Sequence, residues 1–266
     1  MKRLWLIFLL LLVVARCTTV PVTGRKQLSL ISNDEILPMS FSNYRAVLDT
    51  SRRSGNREWE TMVKRCGARI QKAVEEYMAQ QNLSSALRGY SWEFNLIEAD
   101  IANAWCMPGG KVAFYTGIMP ICRDENGVAV VMGHEVAHAI ANHGRERMSQ
   151  GLMQQMGGVA LNVALVNQPA ETQMLYQQAF GVASTVGVML PFSRLHESEA
   201  DRMGLIFMAM AGYDPTEAPK FWERMAALSA GQEPPEFLST HPSNQRRISE
   251  LNALVPEAMQ YFKKRE

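Results

Sequence analysis

Cysteine is sparse, four in 266 residues, so a small disulfide-stapled scaffold is excluded. Charge of one sign is lacking too: 27 Lys and Arg against 26 Asp and Glu give a formal net charge of +1, and no polyanion such as nucleic acid is implied as partner. The chain also lacks a long apolar run. Its longest, Leu4 to Ala15, is about a dozen residues against the ~20 that a membrane-spanning helix needs. Histidine is scarce as well, with five in the chain, at 134, 138, 143, 196 and 241.

The first residues read as an address. Lys2 and Arg3 precede the apolar run, which fits a signal peptide over residues 1–16. Cys17 resembles the lipid-modified first residue of a mature bacterial lipoprotein, although Arg16 stands where a small residue is usual. Ordinary secretion and a signal anchor are the alternatives. The expectation is a periplasmic chain held at the outer membrane by lipid on Cys17. Loss of Lys2, Arg3 and Arg16 would turn the charge of +1 into −2. Residues 17–30, with Pro21, Gly24 and the basic pair Arg25-Lys26, suit an extended tether. Residues 31–266 are long enough for one domain with a sizeable core. Cys66, Cys106 and Cys122 remain, an odd number that fits one disulfide or none.

Ser32 and Glu35 form a capping box that starts a helix running to about Thr50. A second helix, from about Arg57 to Gln80, carries a core stripe from Trp59 to Met78. Tyr90 to Ile97 and Val112 to Tyr115 are β-prone, with Asn103-Ala104-Trp105 between them and a Pro108-Gly109-Gly110 turn. We read these as a small, mainly antiparallel sheet. An edge strand at Asn103, Ala104 and Trp105 could hold an extended peptide by backbone pairing, and a purely structural hairpin reads equally well. The Met- and Gln-rich stretch from Arg145 to Met189 is expected to form a helical hairpin over the site, with plain core packing as the alternative.

The chemistry sits in Gly133-His134-Glu135-Val136-Ala137-His138. On a helix, positions i and i+4 share a face, so His134 and His138 can turn to one metal ion. Glu135 lies beside them, where its carboxylate can take a proton from the water that a metal activates. The same pattern occurs by chance in ordinary helices, so a third ligand is required. Glu197, in His196-Glu197-Ser198-Glu199-Ala200-Asp201, supplies one. Two histidines and one carboxylate leave a coordination position open, as a catalytic zinc needs. Asp201, one turn on, suits an acceptor that orients a ligand histidine through its other ring nitrogen. Glu199 points elsewhere on the helix. Ala137, Ala141, Ala200 and Gly204 are small enough to let the two helices approach.

Taken with the later His241-Pro242 and Arg247, these motifs resemble the zinc metallopeptidases that include the CaaX prenyl proteases, the HtpX membrane proteases and periplasmic lipoproteins of outer-membrane quality control. The resemblance runs from about Thr18 to Ile248. It implies an α+β, mainly α-helical zincin-type fold with the small sheet packed on the H-E-x-x-H helix. It also implies Zn2+, one per chain, on His134, His138 and Glu197. Glu135 would be the base, Asp201 an active-site residue often assigned as proton donor, and Asn103-Ala104-Trp105 the substrate strand. His241 would then be an oxyanion donor or an extra ligand that closes over the metal. Arg247 matches the family's arginine without an assigned role. The function expected is an endopeptidase for misfolded or unassembled cell-envelope proteins. The alternative is a chaperone or outer-membrane assembly factor that uses the same cleft without cleavage.

Overall fold

A computed structural model of the chain describes residues 17–228, 235–242 and 245–262. The expected signal peptide, 1–16, and Ser243-Asn244 of the His-Pro loop lie outside these. Helix α1 (Asn33–Thr50) starts where the capping box puts it: the Glu35 carboxylate accepts from the Ser32 amide at 2.8 Å and from its hydroxyl at 2.7 Å. Helix α2 (Arg57–Gln80) buries Val63, Ile70, Val74, Tyr77 and Met78 from the expected stripe.

Three strands follow, β3 (Glu93–Ile97), β4 (Ala104–Met107) and β5 (Lys111–Tyr115), in the order β3-β5-β4. The fold class holds, but the sheet is mixed: β4 runs antiparallel to β5, and β3 runs parallel to it. The connections explain this. Gly109 and Gly110, both at positive φ, close a tight turn between β4 and β5 that only antiparallel strands accommodate. The 98–103 loop instead carries the chain across the end of β5, held there by Tyr115 N–H to the Asn103 carbonyl at 3.1 Å and Gly117 N–H to the Ala99 carbonyl at 3.0 Å. The chain thus reaches the far side of β5, and β4 is left as an edge.

Helix α3 (Glu125–Ile140) is the centre. Asp124 caps it, accepting from the Gly127 amide at 3.0 Å, and every residue from Gly127 to Ile140 is buried. It ends at Asn142, whose left-handed φ of 57° turns the chain directly into α4 (His143–Leu165). Helix α5 (Ala170–Ser184) folds back along α4, and α6 (Leu190–Met210) returns to cross α3. Helices α7 (Glu217–Ala227) and α8 (Gln245–Met259) close the other side. The α4–α5 hairpin forms, yet only its base, at Gly144 and Arg147, lines the central cleft. Its middle is neither lid nor core, with Met156, Val163 and Leu175 exposed at 63%, 69% and 65%. Cys66, Cys106 and Cys122 are free thiols.

The N-terminal arm is an antiparallel hairpin of β1 (Cys17–Thr19) and β2 (Lys26–Leu28). It buries Val20 and lies against α4.

Helices α3 and α6 meet backbone to backbone. A Cβ added at Gly204 would sit 2.9 Å from both the Gly133 carbonyl carbon and the His134 amide nitrogen, and one added at Gly133 would sit 2.7 Å from the Gly204 carbonyl oxygen. Neither neighbour is a flexible side chain. Gly204→Ala should therefore destabilise the metal-free chain by about 1–3 kcal/mol in urea unfolding, the usual scale of overpacking. A change below about 0.5 kcal/mol would place the two helices farther apart than described.

Candidate metal centre

The close crossing of α3 and α6 brings their polar residues together one turn away. His134 Nε2 and His138 Nε2 lie 3.1 Å apart, and Glu197 reaches them with Oε2 and Oε1, each at 3.3 Å. His241, at the end of the short 236–240 helix, adds Nδ1 at 2.9 Å from Glu197 Oε2 and 3.1 Å from His134 Nε2. All four residues are buried, and their ligand atoms lie within 4.8 Å of one another. Two nitrogens, each about 2.0–2.1 Å from a tetrahedral zinc, stand about 3.3 Å apart. Separations of 2.9–3.3 Å are those of the edges of such a tetrahedron. Three imidazoles and one carboxylate are also a donor set that zinc takes, so the residues fit the ion.

The electrostatics follow from burial against pairing. Burial opposes the Glu197 carboxylate, but hydrogen bonds from His134, His138 and His241 hold it far below the usual carboxylate range. Burial likewise works against His134⁺, yet Asp201 and Glu197 outweigh it and raise that imidazole to about 9. His138 goes the other way, pushed well down by burial. Glu135 is raised, chiefly by burial. Among the described residues its buried Oε1 has no hydrogen bond, and His241 Nε2 stands 3.3 Å from it.

Glu135 and His138 face a cleft of about 210 Å³ that is also lined by Asn103, Ala104, Trp105 and His241. Edge strand β4 is thus one wall. Asn103 braces that wall, donating from Nδ2 to Glu236 at 3.0 Å and accepting from the Ala104 amide at 2.8 Å. Trp105 is tied back by its indole N–H to the Tyr115 hydroxyl at 3.2 Å.

Asp201 lies behind His134, its Oδ1 2.9 Å from Nδ1. Burial opposes its ionisation, but Arg247 and His134 hold it below the ordinary range. It is placed to orient His134. Arg247 is the residue whose part the sequence left open. Its guanidinium grips Asp201 through Nη2 at 2.7 Å and Nε at 2.8 Å, reaches Glu197 at 3.2 Å, and lies 3.6 Å over the Trp222 ring.

The sequence profile of peptidase family M48 matches residues 65–255, well over half of the chain. The chain belongs to peptidase family M48. Metallopeptidases of this family use zinc, an ion that the donor set fits. Among similar proteins is a mitochondrial metalloendopeptidase OMA1 of Arabidopsis thaliana, 34% identical over 72% of this chain and 38% of its own length. Another OMA1, of Schizosaccharomyces pombe, is 37% identical over 65% of this chain and 50% of its own length. A β-barrel assembly-enhancing protease of Escherichia coli is 28% identical over 60% and 33%. The chain spans half or less of the length of these relatives. The mitochondrial names overturn the periplasmic, outer-membrane placement expected from the N-terminus. Acylation of Cys17 gains no support from them.

Sequence reasoning missed a second polar cluster behind the M48 centre. Glu199, assigned to no role, is buried, as are His143, Glu146 and His196. The available signal was that three of the five histidines stand at 134, 138 and 143, two of them spaced as ligands. For Arg247, the expected outcome of Arg247→Ala is a loss of about 3–5 kcal/mol in urea unfolding of the metal-free chain, because two buried carboxylates lose their cation. Arg247→Lys should recover only part, since an ammonium cannot grip a carboxylate bidentately. A loss below about 1 kcal/mol would show that the carboxylates are satisfied without it.

Proposed function

We propose that the chain is a zinc metalloendopeptidase that cleaves extended, unfolded polypeptide laid along β4. The observation that supports this most is the Glu135 carboxylate, whose buried Oε1 has no hydrogen bond among the described residues and lies beside a four-donor cluster. Zinc, when bound, supplies the charge that polarises a peptide carbonyl and acidifies water. His134, His138 and Glu197 hold it. Asp201 fixes His134 through Nδ1. Glu135 Oε1 takes the proton from the attacking water and passes it to the leaving amine, a role to which its raised proton affinity is suited. Edge strand β4 offers backbone pairing that does not depend on substrate sequence.

His241 serves as a latch. Its Nδ1 completes the donor cluster and its Nε2 faces Glu135, so it occupies the space that substrate must enter. A second reading is a holding factor that uses the cleft without cleavage, and the relative named for β-barrel assembly supports only the link to assembly machinery. A binding module, however, has no use for a buried carboxylate oxygen without a hydrogen bond, which costs about 1–3 kcal/mol or more to bury.

Two measurements check this. Purified protein should carry about one zinc per chain, lost on alanine substitution of His134, His138 or Glu197. Glu135→Gln should keep the zinc and lose about 10²-fold or more of its activity on unfolded casein. Undiminished cleavage would remove Glu135 as base, and aggregation suppression with no cleavage in the wild type would establish the holding factor.

His241→Ala should keep the zinc and raise basal cleavage, because the position that His241 fills becomes open. A fall of about 10²-fold or more would instead assign it to the oxyanion.

A further inference from the structure

The two α3 histidines are supported differently. His134 Nδ1 meets the Asp201 carboxylate directly. His138 Nδ1 meets a second imidazole, His143 Nδ1, at 2.8 Å. Two imidazole nitrogens at that distance share one proton, and its place is determined. His138 turns Nε2 into the donor cluster, so Nδ1 carries the proton and His143 Nδ1 accepts it. The proton of His143 is then on Nε2, which donates to Glu199 Oε2 at 2.9 Å.

Glu199 is held in turn by the N-terminal hairpin. Arg25 donates to Glu199 Oε2 from Nε at 3.0 Å and Nη2 at 2.9 Å, and the Thr23 hydroxyl donates to Oε1. The same guanidinium grips Glu146 bidentately, at 3.0 and 2.7 Å. Glu146 accepts from His196 Nε2 at 2.8 Å, and the His196 ring stacks on His143 at 4.2 Å. From His138 through His143 to Glu199 each group donates to the next, Arg25 donates to the same carboxylate from the other side, and stacking fixes the plane of the His143 ring.

We propose that Glu199 and Arg25 are positioning residues for the metal centre, acting through His143 to set the proton and orientation of His138. The N-terminal hairpin is then a working part of the centre, and a chain lacking it would hold zinc weakly. This rests on the reading of His138 as a zinc ligand.

The test is zinc affinity, measured on the full chain by competition with a chromogenic chelator, with the melting temperature of the metal-free protein alongside. Arg25→Ala and Glu199→Gln should each weaken zinc binding about 10- to 100-fold, the usual effect of losing a group that orients a ligand histidine. Arg25→Lys should lie between them and wild type. The double variant should be no weaker than the worse single one, since both break one chain of bonds. Val20→Ala removes buried apolar contact from the same hairpin, so it should lower the melting temperature while leaving zinc affinity within about twofold. Three results overturn the proposal: unchanged affinity in Arg25→Ala, additive losses in the double variant, or an equal loss in Val20→Ala. If Arg25→Ala does not fold, Arg25→Lys and Glu199→Gln decide by the same comparison. Wild type without zinc, or His138→Ala with full affinity, would mark a failure of the metal reading instead.

Discussion

The metal centre depends on a contact between two backbones. Gly133 of α3 and Gly204 of α6 meet with no room for a side chain, and the four-donor cluster lies one turn from that crossing. His134 follows Gly133 directly, while Asp201 and Glu197 precede Gly204 by one and two turns. Short side chains reach across only because the axes are so close. A wider crossing would leave Glu197 short of both histidines, and no rotamer change on one helix could restore two contacts at 3.3 Å. The uniform burial of α3 has the same origin, since a helix enclosed by α6, α2, β4 and α7 has no face left for solvent.

Burial at that crossing also determines how the polar groups behave. Carboxylates and imidazoles held out of water must be paired, and here each pairing has a consequence. Glu197 and Asp201 stay ionised because histidines and Arg247 surround them. Glu135 has His241 Nε2 at 3.3 Å, but burial outweighs that neighbour and raises its proton affinity. Two carboxylates that share His241 as a neighbour are thus pushed in opposite directions, which separates a ligand from a base without any change of residue type.

Much of this was legible in the sequence, for reasons that differ by element. The capping box at Ser32 and Glu35 and the i, i+4 spacing of His134 and His138 are local rules of helix geometry, so they could be read without the fold. Glu197 was legible because three ligands are a chemical requirement and one later helix offered a carboxylate. The parallel pairing of β3 with β5 was not, because strand direction is decided by how the 98–103 loop crosses β5. Gly133 was also passed over in favour of Ala137 and Ala141, since a helix pattern gives the face of contact but not the point of closest approach. Arg25, Glu146 and Glu199 are joined across 121 and 174 positions of sequence, and no spacing rule links residues so distant.

The asymmetry between His134 and His138 follows from where α3 ends. His134 lies mid-helix, opposite α6, so a carboxylate one turn along that helix can reach its Nδ1 directly. His138 lies in the last turn, where Glu197 of α6 meets its Nε2 and its Nδ1 is met by His143. The chain does this by turning sharply at Asn142 and starting the next helix with His143, which places an imidazole against His138 within five residues. A neutral imidazole that accepts a hydrogen bond at one nitrogen carries its proton on the other, and that N–H, once buried, needs an acceptor. The partner here is Glu199, and a carboxylate so deeply placed needs a cation of its own. With α3, α4 and α6 already committed, the cation comes from the N-terminal hairpin. Each step gives one buried polar group its partner, and it carries the influence of Arg25 to the centre of the site.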